Sequence, residues 1–211
     1  LSLSDYAITE SGFAADIGFE KFCNIKCRVS GKTPDAVVLV ATVRALKYHG
    51  GGASIKPGAA LPAEYAAENL PLLEAGCANL IAHIRNVQSF GLPVIVAINA
   101  FPGDTEAEWQ LIREQALAAG ASAAIVHHGF TEGGQGTAQL AQAVVDACEQ
   151  KERPDFRFSY ELEQELPEKI RALACGLYGA QDIDLDPIAL RKLKKYQELG
   201  YGKLPVSIAK T

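Results

Sequence analysis

The sequence predicts an α/β protein with three layers: a mostly parallel sheet with helices on both faces. Two observations carry this expectation. Short apolar runs, Tyr6-Ala-Ile-Thr, Ala36-Val-Val-Leu-Val-Ala, Pro93-Val-Ile-Val-Ala-Ile-Asn and Ala123-Ala-Ile-Val-His, have the pattern of strands buried on both sheet faces. Between and after them lie longer segments whose apolar residues recur every three or four positions, as in helices that bury one stripe. With 211 residues and 48% apolar content, the chain can bury a core of this kind as one large or two small domains.

Taken in order, the run at 6–9 opens into a polar, glycine-bearing loop, Thr9-Glu-Ser-Gly-Phe-Ala-Ala-Asp-Ile-Gly18, and Glu20-Lys-Phe then begins a helix-like segment. Glu10 and Asp16 in this loop are either ligands of a cation or nucleotide or plain solvated carboxylates. The run at 36–41 leads into Val40-Ala-Thr-Val-Arg-Ala-Leu-Lys-Tyr-His-Gly-Gly51. It reads as a ligand loop, with Arg44, Lys47 and a glycine pair at the carboxyl end of a strand, where open α/β sheets bind ligands. Phosphate or carboxylate groups suit these cations. The other open reading is that both cations pair with carboxylates of the fold.

The next helix carries Leu73, Cys77, Leu80, Ile81, Ile84 and Val87 on one stripe and stops near Gly91-Leu-Pro. His83 on it reads as solvated or locally bonded. The strand at 93–99 runs into Ala100-Phe-Pro-Gly-Asp-Thr105, after which Thr105 and Glu108 form a capping box for a helix burying Trp109, Ile112 and Ala116. Phe101 and Pro102 therefore stand at the rim of the sheet. An aromatic face there suits a planar heterocycle, and equally suits a contact that staples the helix start.

The strand at 123–127 ends in Val126-His-His-Gly-Phe-Thr-Glu-Gly-Gly-Gln-Gly136, which puts a second ring, Phe130, at an equivalent strand end. Gly133, Gly134 and Gly136 open the following helix, either as an anion site or as a tight turn. That helix shows Leu140, Val144 and Ala147, and its pattern breaks at Lys151-Glu-Arg-Pro-Asp, the candidate linker or subdomain boundary. Two further helices follow, Pro167 to Tyr178 closed by Gly179, and Pro187 to Leu199 with Asp186 as N-cap and Gly200 after its end. Leu204-Pro-Val-Ser-Ile-Ala-Lys-Thr211 reads as a last strand.

Composition excludes several classes of function. A net charge of −5, with the 20 Lys and Arg residues dispersed, provides no basic stripe for nucleic acid. No apolar run is long enough for a membrane helix, and the first residues lack the features of a leader, so a cytoplasmic protein is expected. Cys23, Cys27, Cys77, Cys148 and Cys175 are odd in number and scattered, which reads as reduced small hydrophobes. No metal site is expected: Cys23 and Cys27 lack a second ligand pair, and His127 and His128, adjacent on a strand, point to opposite faces. Neither a Gly-x-x-x-x-Gly-Lys-Ser/Thr loop nor a Gly-x-Gly-x-x-Gly between a first strand and helix is present. The absence of methionine suggests a piece of a longer protein.

Long collinear motifs carry a resemblance. The stretches Thr9 to Phe22, Lys26-Cys-Arg, Val40 to Gly51, Val96 to Thr105, Gly133-Gly-Gln-Gly, Leu177-Tyr-Gly and Gly200 to Thr211 resemble the formate–tetrahydrofolate ligases (10-formyltetrahydrofolate synthetases). These enzymes use ATP to join formate to N10 of tetrahydrofolate. The resemblance covers essentially the whole chain and implies a P-loop NTPase-like or Rossmann-like part of a larger enzyme whose phosphate loop comes from an N-terminal segment. It assigns 1–92 to the latter part of the nucleotide-domain region. Residues 93–211 become a second α/β domain with folate-site loops and a helical C-terminal segment.

The resemblance also implies that Phe101, Pro102 and Phe130 stack against the pterin, Phe130 standing where tryptophan is common. Phe13, Arg44, Lys47, Gly133 and Gly134 fall on the nucleotide or anion side, and no catalytic residue is assigned. Formate, tetrahydrofolate and ATP with Mg²⁺ are the expected ligands of the full-length enzyme, a homo-oligomer, with none tightly bound to this chain. The stretch from Gly50 to Tyr65 is longer than in many relatives. The isolated chain is expected to be inactive, to keep part of the folate pocket, and to self-associate or show modest stability. The alternative is a non-enzymatic binding or assembly module with the same fold. A dehydrogenase-like dinucleotide domain lacks its glycine fingerprint.

Overall fold

A computed structural model of the chain describes residues 3–55, 58, 61–150, 152 and 154–209. In chain order, π-helical turns at Ala14–Phe19 and Phe22–Cys27 precede α1 (Arg28–Ser30), β1 (Val37–Ala41), α2 (Val43–His49) and α3 (Ala63–Ala66). Next come α4 (Leu70–Ser89), β2 (Val94–Asn99), α5 (Glu106–Ala118), β3 (Ala123–His127), α6 (Gly129–Glu132) and α7 (Ala138–Cys148). The chain ends through α8 (Leu166–Gly176) and α9 (Pro187–Glu198). It divides into two compact units: Pro34–Phe156, and Leu1–Thr33 together with Arg157–Thr211. The break at 156/157 falls beside the charged run 151–155, of which Lys151 and Arg153 lie outside the described residues.

The unit Pro34–Phe156 is the three-layer α/β body. Among the described residues its strands form one open, all-parallel sheet in the order β1-β2-β3. The register pairs Ala41 with Ile98 and Asn99 with His127, so the carboxyl ends of all three strands lie along one rim. Central β2 is fully buried from Val94 to Ile98, which explains its unbroken apolar run. On β1, Val38 and Val40 are exposed.

The helices follow from their ends and stripes. Asn69 caps α4 through its side chain, Pro71 sits in the first turn, and of the predicted stripe Leu73, Cys77, Leu80, Ile84 and Val87 are buried while Ile81 is half-buried. Helix α2 packs on α4 at very close range: a Cβ on Gly76 would lie 1.8 Å from the carbonyl oxygen of Leu46. Only glycine allows that approach.

In the other unit, α9 is capped by Asp186 and followed by Gly200 at φ 87°, both as the sequence predicts. Buried Lys169 on α8 donates to the carbonyl oxygens of Gly202 at 2.7 Å and Leu204 at 3.1 Å. The Arg28 guanidinium lies 3.7 Å from the Phe158 ring centre. All five cysteines are free thiols, and burial raises those of Cys23 and Cys27 and pushes that of Cys77 up to about 11.

Four expectations are corrected. Tyr6–Thr9 is not a strand: Ile8 is 94% exposed, and no strand among the described residues pairs with it. Residues 204–209 are not a strand either, since the Val206 N–H donates to the Tyr160 hydroxyl rather than to a neighbouring strand; residues 210 and 211 lie outside the described residues. Within 40–51 the cations stand on a helix rather than in a loop: Val40 and Ala41 end β1, and Thr42 accepts from the Ala45 N–H and caps α2 directly after it. Trp109 is only half-buried, and the fully buried position beside it belongs to Glu108.

Candidate functional site

The rim at the carboxyl ends of the strands is built around the turn after β2. Phe101-Pro102-Gly103-Asp104 closes with the Asp104 N–H donating to the Phe101 carbonyl at 3.1 Å, and Gly103 adopts φ 96°. Proline followed by a left-handed glycine is the sequence such a turn requires. The Asp104 carboxylate accepts from the Phe101 N–H at 2.9 Å, closing the turn a second time. The expected capping box follows: the Glu108 N–H donates to Thr105 Oγ1, and the Thr105 N–H donates to Glu108 Oε2.

Two cations from α2 support this turn. Arg44 donates from Nη2 to the Pro102 carbonyl at 3.2 Å, and its guanidinium lies 5.1 Å from the Phe101 ring centre. Lys47 is 1% exposed, with its ammonium 2.5 Å from Glu108 Oε1 and 2.7 Å from the Ala67 carbonyl. Glu108 Oε1 also accepts from the Asn69 N–H at 3.0 Å. One buried carboxylate therefore joins α2, the start of α4 and the start of α5. The capping box was legible in the sequence, whereas the ion pair, between residues far apart in the chain, had no local signal.

The neighbouring strand end carries the second ring. The Ala100 N–H donates to the His127 carbonyl at 3.1 Å, so the loops after β2 and β3 leave the sheet side by side. The loop after β3 makes one helical turn, α6, and the His128 N–H reaches the Gly136 carbonyl at 3.0 Å. Phe130 on this turn is 90% exposed, while Phe101 is half-buried. Gly133 adopts φ 59°; Gly134 precedes a 3₁₀ turn at Gln135–Thr137, and α7 starts only at Ala138. His127 accepts from the Gly129 N–H at 3.4 Å through Nδ1, and burial, then the neighbouring His128, holds its pKa below the usual histidine range.

A cleft of about 620 Å³ opens between α5 and the loop before α7. Its walls include Trp109, Arg113, His128, Glu132 and Gln139, and Trp109 meets His128 edge-on at 5.7 Å. Trp109 therefore lines this cleft instead of the core the spacing predicts, and the only sequence signal for it is the adjacency of Trp109 to the capping residue Glu108.

In the other unit, Phe13 is 87% exposed at the start of the first π-helical turn. Its carbonyl accepts from the Gly18 N–H at 3.0 Å, and Ala14 takes a left-handed φ of 64°. A non-glycine residue in that region carries backbone strain. Among the described residues no group of three or more His, Cys, Asp or Glu side chains is arranged to hold a metal ion, and no helix is long and apolar enough to cross a membrane.

Comparison with known proteins identifies the family. The family profile "Formate--tetrahydrofolate ligase" matches residues 1–211. Cytoplasmic C-1-tetrahydrofolate synthase of Drosophila melanogaster is 50% identical over 205 residues, 97% of this chain and 21% of that protein. Formate--tetrahydrofolate ligase of Desulforamulus reducens is 48% identical over 211 residues, 100% of this chain and 37% of that protein. Mitochondrial C-1-tetrahydrofolate synthase of Schizosaccharomyces pombe is 45% identical over 206 residues, 98% of this chain and 21% of that protein. The chain thus spans between 21% and 37% of the length of these relatives. With a profile match over its full length and relatives near half identity across it, the chain belongs to the formate–tetrahydrofolate ligase family.

Proposed function

We propose that this chain is the folate-contacting portion of an ATP-dependent formate–tetrahydrofolate ligase, and that it is inactive by itself. The full reaction runs in two steps. A formate oxygen attacks the γ-phosphorus of ATP, releasing ADP and leaving formyl phosphate; the N10 amine of tetrahydrofolate then attacks the formyl carbon and inorganic phosphate departs. The first step depends on positioning and charge neutralisation around the phosphates. No catalytic residue of this chain is assigned to it, and Mg²⁺ enters with ATP.

The observation that carries this reading is the pair of aromatic residues at adjacent strand ends: Phe101, two residues past Asn99, and Phe130, three past His127, where Asn99 and His127 are register partners. A crevice outside the carboxyl ends of parallel strands is where α/β sheets bind ligands. In this reading Phe101, Pro102 and Phe130 hold the pterin. Phe13, Gly133 and Gly134 are assigned to the nucleotide or anion side, and 1–92 and 93–211 are proposed as functional regions, the latter part of the nucleotide-domain region and a second α/β domain with the folate-site loops, while the compact units divide elsewhere. Lys47, already engaged by Glu108, and Arg44, turned to Pro102, support the folate turn. A homo-oligomeric full-length enzyme in the cytoplasm belongs to the same proposal.

The test is calorimetric titration of the chain and of the full-length protein with tetrahydrofolate under reducing conditions, beside the Phe101→Ala, Phe130→Ala double variant. Loss of both rings is expected to weaken binding at least tenfold, roughly the stacking and burial contribution of such rings. Unchanged affinity in the full-length double variant would remove the aromatic pair from the folate site.

A further inference from the structure

We propose that Lys47 is a positioning residue for the tetrahydrofolate site, acting through Glu108 to fix the Phe101–Pro102 turn against which the pterin stacks. The inference rests on the reading of Phe101 and Pro102 given above.

The turn is anchored at two ends. At its start, the Ala100 N–H is bound to the His127 carbonyl of the sheet. At its end, Thr105 is held by Glu108, whose Oε2 accepts the Thr105 N–H at 3.2 Å and whose own N–H donates to Thr105 Oγ1 at 3.3 Å. Thr105 Oγ1 further donates to Glu68 at 2.6 Å. The other carboxylate oxygen, Oε1, takes the Lys47 ammonium at 2.5 Å and the Asn69 N–H at 3.0 Å. With Glu108 fully buried and Lys47 1% exposed, the carboxylate has no solvent to turn toward. Lys47 thus fixes where the far anchor of the turn stands.

Stability alone does not account for such a pair. Removing two charges from water offsets much of their attraction, and apolar side chains of similar volume often serve a core as well. A charged pair directs its hydrogen bonds, which an apolar contact cannot do. The same helix reaches the turn a second time, one helical turn earlier, where Arg44 donates to the Pro102 carbonyl. Both cations of α2 therefore converge on the turn.

The experiment is steady-state kinetics on the full-length protein carrying Lys47→Met, Phe101→Ala or both, with thermal melts to establish folding. Lys47→Met is expected to raise KM for tetrahydrofolate about tenfold while kcat and the KM values for ATP and formate stay within twofold. In the Phe101→Ala background, Lys47→Met is expected to add nothing, because its effect passes through that ring. A lowered Tm with every KM unchanged would make the pair purely structural and overturn the proposal. A rise in KM for ATP or formate instead would overturn it by placing Lys47 on the anion side. If Lys47→Met does not fold, Glu108→Gln, which keeps an acceptor and loses the charge, is judged by the same criteria. Should Phe101→Ala alone leave KM for tetrahydrofolate unchanged, the folate reading fails, an outcome separate from the failure of Lys47.

Discussion

The Arg44 guanidinium lies 5.1 Å from the centre of the Phe101 ring while its Nη2 donates to the carbonyl oxygen of the next residue, Pro102. One side chain thus fixes both the ring and the peptide that follows it. The cation is drawn to the ring quadrupole, and the hydrogen bond sets its direction. The Arg44 Nε is buried without a hydrogen-bond partner.

Arg44→Leu keeps an apolar stem beneath Phe101 and removes both interactions. At about 1 kcal/mol for a cation–π contact and hydrogen bond of this kind, tetrahydrofolate affinity of the full-length protein should fall about fivefold. Titration with tetrahydrofolate measures this. An unchanged affinity combined with weakened ATP or formate use would assign Arg44 to the anion side.

Gly76 sets the distance between α2 and α4. Its Cβ would stand 1.8 Å from the Leu46 carbonyl oxygen, and a Cβ on Gly50 would stand 2.0 Å from the Leu72 carbonyl oxygen, so the two helix backbones touch at both points. Gly76→Ala forces them apart, with an expected cost of about 2–3 kcal/mol, near the upper range for overpacking. Urea unfolding of the chain should show a lower midpoint. An unaltered midpoint would mean that this crossing is looser than described.

The elements legible in the sequence were those whose own residues determine them. Thr105 and Glu108 announced α5, Asp186 and Gly200 bounded α9, and the unbroken apolar run of β2 required burial on both faces. Residues 6–9 and 204–209 show why the rest was not: an apolar run reports a side-chain pattern but not whether another strand lies beside it. At 40–51 the glycine pair weighed toward a loop, although Thr42 was a visible cap. Phe101, Pro102 and Phe130 were identifiable as strand-end residues from spacing alone. The convergence of Arg44, Lys47 and Glu108 on one turn depends on long-range packing that no periodicity encodes.

Glu20 provides a pH test in the unit formed by the two chain ends. It is fully buried; its Oε1 accepts from Asn24 Nδ2 at 2.9 Å, while Oε2 has no hydrogen-bond partner. Burial raises its pKa above the ordinary 4.5, and the Asn24 hydrogen bond and then the Lys21 charge only partly oppose that shift. A carboxyl whose folded pKa exceeds its unfolded one contributes stability that is fully present below pH 4.5 and is lost as pH rises through the folded value. Glu20→Gln keeps the acceptor and an N–H in place of the acid proton, and it cannot ionise. The variant and the native chain should therefore melt together near pH 4, with the variant gaining a higher Tm as pH rises toward neutrality. Melting curves across that range decide the point: a Tm difference that does not change with pH would mean that Glu20 ionises in the folded chain as readily as in the unfolded one.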